Sequence, residues 1–527
     1  MMYPKVVNPI TLSTSWCEVR ARSALELSYH FASMFPVVLI LFIVAFSLWA
    51  DFRNGVHSRV KIPSSISIFI PWFDNAIQFG LDPLGFLRKR QTKHGSVFAI
   101  RLAGKRVIVA GNLNGILRVM RDTQKTLHLP NHQMLASLGD VKGTIPMTLL
   151  DRLTTYVART FSNKGIPQFS HTFNQHLFRH IRSLAENSPN DRVPLQRFVG
   201  QALYDAVSVS VWGPHFPLDT YEEFYTIDAK MSRLLGPAFL VPRAVSQARN
   251  LMKNKLGTYM QECWDEELGV KGAPANVTEM IRLLKECSPT VPPEDAQGAL
   301  LVFLFGLHAN THRIVAWLFL HLLSDSRTYL RLRREIDHAI DVEFGDLDTL
   351  LLVPPQRLGV SSLPLLESAI METLRLWYAA VTVREVNEDT EIPSEDMKTF
   401  MVARPGDLVM GNSSAINMSD DFFEEPETFQ IDRFVGCTAE KEDEGKSRTL
   451  PLGSFGGGTH VCKGRDFALY EMKVFAILCL RVLDMKAETS SGRSIDDLPL
   501  KADTTRTIPS FVMYPSEEVF VRIRKRA

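Results

Sequence analysis

Charge of one sign is missing from this 527-residue sequence: 59 Lys and Arg stand against 58 Asp and Glu, a formal net charge of +1. A balanced chain exerts no long-range pull on a polyanion, which argues against nucleic acid as a partner. Cysteine is scarce as well, six residues at 17, 263, 287, 437, 462 and 479. They are too few and too scattered for a disulfide scaffold, so a cysteine that matters here is a metal ligand or nucleophile rather than a cross-link. No internal repeat is present. Apolar residues at 45% and charged residues at 22% are those of a folded globular protein and exclude a mainly disordered chain. The length suggests roughly three and a half average domains, but a single large catalytic domain fits it equally.

Long uncharged apolar runs are rare too, and the one that exists is informative. Phe31 to Ala50 holds 20 residues without a charge, enough for a helix of about 30 Å, the hydrocarbon thickness of a bilayer. A cleaved signal peptide has a shorter apolar core and a small-residue cleavage site, and neither is evident. The run reads as a single transmembrane anchor behind an N-terminal segment, 1–30. A connector, 51–72, follows, stiffened by Pro63 and Pro71. Three cations precede the run (Lys5, Arg20, Arg22) and three follow it (Arg53, Arg59, Lys61), so charge does not set the orientation. Residues 73–527 are the water-facing body.

Within that body, Phe98–Ala103 and Gly104–Gly111 read as strand, turn, strand. From Leu149 to Ile340 the pattern is mostly helical. Pro292-Pro293-Glu294-Asp295 starts a helix that continues to Ser324, since prolines and acids suit a helix N-terminus. A second helix spans Pro364 to Trp377. Strand signals recur at Val381–Val386 and Phe400–Val402, Thr438–Ser447 is a charged loop, and helical spacing resumes after Gly464. The fold class is mainly α with a minor β portion.

One glycine loop carries the chemistry. Phe455-Gly-Gly-Gly-Thr-His-Val-Cys462-Lys-Gly464 leads into an apolar helix. Consecutive glycines let a backbone approach something bulky. A cysteine at a helix entry is stabilised as thiolate by free amides and the helix dipole. A phosphate cradle would need G-x-x-x-x-G-K-[ST] spacing, which is lacking, and a zinc site would need paired ligands near Cys462 and His460.

The segment Phe455-x-x-Gly458-x-x-x-Cys462-x-Gly464 resembles the haem-binding signature of the cytochrome P450 family. Upstream, Glu372-Thr-Leu-Arg375 resembles its ExxR motif, and Phe429-Gln-Ile-Asp432-Arg433-Phe434 its F-x-x-E/D-R-F segment. Order and separation agree: 58 residues lie between Arg375 and Arg433, and 29 between Arg433 and Cys462. The resemblance implies the cytochrome P450 fold and haem b held by the Cys462 thiolate, which would push electron density onto iron. Phe455, Gly458 and Gly464 would shape the haem loop. Glu372, Arg375 and Arg433 would form a buried structural charge network. His460, Arg384 and Arg159 would be candidates for the haem propionates, although Thr155 stands where the family often has tryptophan.

On the long helix the family shows an acid followed by an alcohol; here the pair is Asn310-Thr311. Thr311 keeps the hydroxyl, whereas Asn310 cannot titrate. This pairing resembles the branch containing sterol 7α-hydroxylases, sterol 12α-hydroxylases and prostacyclin synthase, some of which hydroxylate while others rearrange an oxygenated substrate. Thr311 and Asn310 are thus the expected catalytic pair. His308 and His312 have the spacing of a metal pair, but Ala309 stands where a zinc protease needs Glu, and they read as satisfied or surface histidines. The sequons at Asn276, Asn412 and Asn417 read as chance.

The resemblance implies a haem-thiolate monooxygenase acting with O2 on a lipophilic small molecule, a secondary metabolite of terpenoid, steroid, alkaloid or polyketide type. Electrons would come from NADPH through NADPH-cytochrome P450 reductase. The anchor points to the endoplasmic reticulum membrane, with the catalytic domain facing the cytosol. Two alternatives stand beside it: an isomerase on the same fold needing no reductase, and a membrane-tethered, non-catalytic binding protein.

Overall fold

Apolar residues recurring every three to four positions build a mainly helical body. The computed structural model describes residues 74–527 other than 103, 123–126, 129–130, 144, 188–190, 235–240, 266–278, 280–281, 284–285, 287–290, 360, 437–450, 497 and 527. The anchor expected at 31–50, its flanks 1–30 and 51–72, the charged loop and the Asn276 sequon lie outside the described residues. The principal helices are α1 (Leu113–Met120), α2 (Met147–Thr160), α3 (Ser170–Asn187), α4 (Leu195–Trp212), α5 (Tyr221–Asp228), α6 (Arg243–Asp265), α7 (Pro293–His308), α8 (Thr311–Ser324), α9 (Ser326–His338), α10 (Pro364–Trp377) and α11 (Arg465–Val482). Local chemistry sets several starts. The Asn112 side chain accepts from Gly115 N–H at 2.6 Å to cap α1, and Asp325 caps α9 by accepting from Arg327 N–H. Proline opens α7 and α10 at their first turn, where its missing N–H costs nothing.

Helices α4, α8, α10 and α11 pack on one another as the centre of the core. In α8 every residue from Ile314 to Leu320 is buried, and α11 is buried from Leu469 to Leu480. Each Leu, Ile or Phe so removed from water contributes about 1.5–3 kcal/mol. By length and composition the stretch Pro293–Ser324 could cross a bilayer. Two thirds of its most apolar window is buried inside the body, as for a core helix surrounded by protein. The sequence predicts one helix here; the structure interrupts it at Ala309–Asn310. Asn310 sits at the N-cap position of α8 with φ −106°, yet makes no cap bond, because its side chain is committed elsewhere, as described below.

The strands are β1 (Val97–Leu102), β2 (Lys105–Ala110), β3 (Leu127–His128), β4 (Arg192–Pro194), β5 (Val381–Val386), β6 (Thr390–Pro393), β7 (Phe400–Ala403), β8 (Leu408–Asn412), β9 (Leu483–Thr489) and β10 (Val519–Lys525). A five-stranded sheet has the order β1-β2-β8-β5-β3, with β2 and β8 parallel and the other pairs antiparallel. Its first hairpin turns at Gly104, whose φ of +83° suits glycine. Strands β4, β10 and β9 form a second sheet, and β6 and β7 a separate hairpin. Asn412 and Asn417, the second and third sequons, are buried at 4% and 0% exposure, so neither is open to modification.

Candidate active site

The glycine loop is shaped by positive-φ backbone and by tight packing on the end of α1. Gly456 and Gly458 have φ of +72° and +59°, the left-handed region that other residues enter at a cost. A Cβ on Gly458 would also lie 2.2 Å from the Met120 carbonyl oxygen. Cys462 N–H donates to the Phe455 carbonyl at 2.7 Å, folding the loop back so that the cysteine enters α11, capped by Gly464. The Gly464 N–H donates to Sγ. The thiol is reachable by water yet enclosed by protein. Burial therefore pushes its pKa up, and the Gly464 amide and the Lys463 and Arg465 cations only partly oppose this. The helix entry alone does not make a thiolate here; a bound cation would complete it.

Cys462 opens into a cavity of about 690 Å³. Leu307, Asn310, Thr311 and Ile314 line it along one stripe of α7 and α8, as helical spacing predicts. Phe303, one turn before Leu307 on α7, packs against Trp212 and Phe161. Strand β5 brings Arg384 to the wall, and the loop brings Phe455 and His460. Arg384 is 2% exposed and donates to the Val383 carbonyl at 2.9 Å, but its Nε has no protein partner. Burial pushes its pKa down to about 10, partly offset by Asp122. A buried cation with a spare donor facing a cavity is built to meet an anion. A thiol on one wall, a buried guanidinium with an unpartnered Nε on another and the bare backbone of Gly456 fit a haem: Cys462 would hold the iron and Arg384 a propionate.

Arg159 is not on the cavity wall. It pairs with Glu279 with its side chain 63% exposed, so the position three turns along α2 points it away from the propionate role. His308 and His312 are buried. His308 lies against Tyr204 with ring centroids 4.6 Å apart, and His312 Nδ1 bonds the His308 carbonyl at 2.9 Å. They are core histidines, and no cluster of three or more potential ligands stands ready for a metal ion among the described residues.

Behind the cavity, the Glu372 carboxylate on α10 accepts Arg375 Nε at 2.7 Å and Nη2 at 2.8 Å. It also accepts Arg433 Nε at 2.9 Å and Gln430 N–H at 3.1 Å. Arg375 Nη1 donates to the carbonyls of Asn417 and Pro426, and Arg433 to those of Glu424, Glu425 and Thr428. One buried carboxylate thus joins α10 to the 417–433 segment through two forked cations.

Sequence reasoning did not single out Glu471 on α11, which lines the cavity. Its Oε1 has no partner, and burial pushes its pKa well above the ordinary value. The signal was available: Glu471 falls on one helical face with Ala468 and Met472, both on the wall.

The family profile described as Cytochrome P450 matches residues 63–511. The chain belongs to the cytochrome P450 family and is a cytochrome P450 monooxygenase, of a haem-thiolate family. It is similar to cytochrome P450 7B1 of Mus musculus, 25% identical over 485 residues that cover 89% of this chain and 92% of that protein. It is likewise similar to prostacyclin synthase of Rattus norvegicus, 24% over 510 residues covering 87% and 92%. A sterol 14-alpha demethylase of Pyrenophora dematioidea is 22% identical over 468 residues, covering 83% and 84%.

Proposed function

We propose that this chain inserts one oxygen atom of O2 into a lipophilic small molecule of terpenoid, steroid, alkaloid or polyketide type, as a step in secondary metabolism. The observation that carries the reading is the Cys462 thiol opening onto a cavity whose wall also bears Thr311 and the buried cation Arg384, whose Nε has no protein partner. In the overall change, a C–H bond becomes C–OH, the second oxygen leaves as water, and two electrons and two protons are consumed. The haem, when bound, supplies dioxygen activation. The protein's residues do the rest. Leu307, Ile314 and Phe455 exclude water and seat an apolar substrate. The Thr311 hydroxyl and the Glu471 carboxyl are among the wall groups able to hold a proton. Asn310 is not one of them.

The electrons come from NADPH through NADPH-cytochrome P450 reductase, and residues 31–50 tether the catalytic domain, 73–527, to the cytosolic face of the endoplasmic reticulum. Sterol names among the similar proteins support a substrate that partitions into membrane. The second reading, an isomerase independent of reductase, rests on Asn310 and on the similarity to prostacyclin synthase. Metabolites are compared by mass in a host with and without the gene, under ¹⁸O2. A product heavier than the accumulating precursor by one labelled oxygen supports insertion, equal masses support the isomerase, and a Cys462→Ser variant that still gives the product overturns both.

A further inference from the structure

The wall formed by residues 507–512 has an unusual set of partners. Thr507 to Val512 all line the cavity, and after a turn at Ser510, whose φ is +69°, Val512 bridges Tyr378 in antiparallel fashion. On that side its partners are backbone: Ser510 N–H donates to the Ala379 carbonyl at 2.8 Å, Ala379 N–H to the Phe511 carbonyl at 2.9 Å, and Met513 N–H to the Trp377 carbonyl at 2.9 Å. Buried strand edges need partners on both sides, and here the second side is completed by helix side chains rather than by another strand. Asn310 Oδ1 accepts from Val512 N–H at 2.9 Å. Arg313 Nη1 donates to the Val512 carbonyl at 2.8 Å, and Trp317 Nε1 to the Met513 carbonyl at 2.8 Å. Positions 310, 313 and 317 lie along one helical face, and as three rungs their side chains meet Val512 N–H, Val512 C=O and Met513 C=O in turn.

The middle rung is itself held. Arg313 pairs with Asp228 at the end of α5, which also accepts from Tyr514 Oη and lies 3.4 Å from His312 Nε2. Burial works against the Asp228 carboxylate, but Arg313, His312 and Tyr514 together hold its pKa below the ordinary value. Arg313 therefore has its counter-charge already.

We propose that Asn310 is a positioning residue: with Arg313 and Trp317 it registers segment 507–513 as the cavity wall that determines which substrates fit and how they are presented. The inference rests on the oxygen-insertion reading only for its consequence, not for its geometry. It gives the side-chain oxygen at this position a structural task, as acceptor for Val512 N–H.

The test uses the full-length, haem-loaded enzyme and its Asn310→Asp, Asn310→Leu and Trp317→Phe variants. Hydrogen exchange is followed in the peptide spanning 507–513, together with binding of 4-phenylimidazole by the shift of the haem band. Asn310→Leu should speed exchange in that peptide by about tenfold or more and weaken 4-phenylimidazole by several-fold. Asn310→Asp, which keeps Oδ1 as an acceptor, should restore both to within about twofold of wild type. Wild-type protection in Asn310→Leu, or no rescue by Asn310→Asp, overturns the proposal. If Asn310→Leu does not load haem, Trp317→Phe decides: loss of the last rung should loosen the same peptide, and unchanged exchange there refutes the ladder. A wild-type carbon monoxide adduct without the spectrum of thiolate-bound haem would sink the functional reading while leaving the exchange result intact.

Discussion

Replacing Glu372 with Gln removes a single charge from a place water does not reach. Glu372 and Arg375 side chains are both 0% exposed, and Arg433 is 9% exposed. After the change Arg375 keeps two carbonyl acceptors and Arg433 keeps three, but both guanidiniums lose the anion they share. The new amide also turns an NH2 donor toward donors. Removing one partner from a buried ion pair costs about 3–5 kcal/mol, about a fifth or more of a typical domain's stability of about 5–15 kcal/mol. The internal control lies on the same segment. Asp432 pairs with Arg331 at 2.8 Å, but both side chains are about half exposed, so Asp432→Asn should cost under about 1 kcal/mol. Urea unfolding followed by tryptophan fluorescence, with the haem band recorded in parallel, reads both variants. Equal midpoints for Glu372→Gln and Asp432→Asn would refute the argument that burial, rather than pairing as such, gives this network its weight.

Gly458→Ala combines a left-handed φ of +59° with a Cβ 2.2 Å from the Met120 carbonyl oxygen. A loss of about 2–4 kcal/mol is expected, together with poor haem loading, and a variant that loads haem normally and melts like wild type would contradict the loop geometry. Arg384→Leu removes a buried cation that has no protein partner at Nε. The loaded enzyme should release haem to apomyoglobin about tenfold faster, as the loss of one charge-assisted contact implies, and an unchanged rate would remove Arg384 from the propionate role. His308 is held neutral, its pKa pushed down to about 3 by burial and secondarily by His312. Because the folded pKa lies below the unfolded value, its contribution is intact above about pH 6.5 and is lost as pH falls from there, about 2 kcal/mol by pH 5. Buried acids such as Asp205 and Glu471, with raised pKa values, work in the opposite direction, so the measurable quantity is a difference. Between pH 7 and 5, His308→Phe should lose about 2 kcal/mol less stability than wild type, and parallel pH profiles would disprove the buried neutral imidazole.

What could be read from the chain is what short spacing encodes. The loop from Phe455 to Gly464 owes its shape to glycines and to bonds spanning seven residues or fewer, and Glu372 and Arg375 meet because three residues on a helix bring them to one face. Strands β1, β2 and β5 and helix α10 fall where alternation and helix-start signals put them. Arg433 was reachable only through resemblance, since nothing local says that it will bond a carboxylate 61 residues away.

Other features depend on partners that local pattern cannot name. Arg159 looked equivalent to Arg384 as a cation near the right helix, and only packing separates a guanidinium salt-bridged at the surface from one buried on the cavity wall. Glu471 is a helical glutamate like many others until its surroundings deny it water. The clearest case is Asn310. The sequence by itself determined that no acid stands there, because residue identity is local. What the amide does instead was decided by the tertiary structure, which places Val512, 202 residues onward, at hydrogen-bond distance from it. A buried N–H takes whatever acceptor the folded backbone presents, and that choice is made when helix, strand and loop come together.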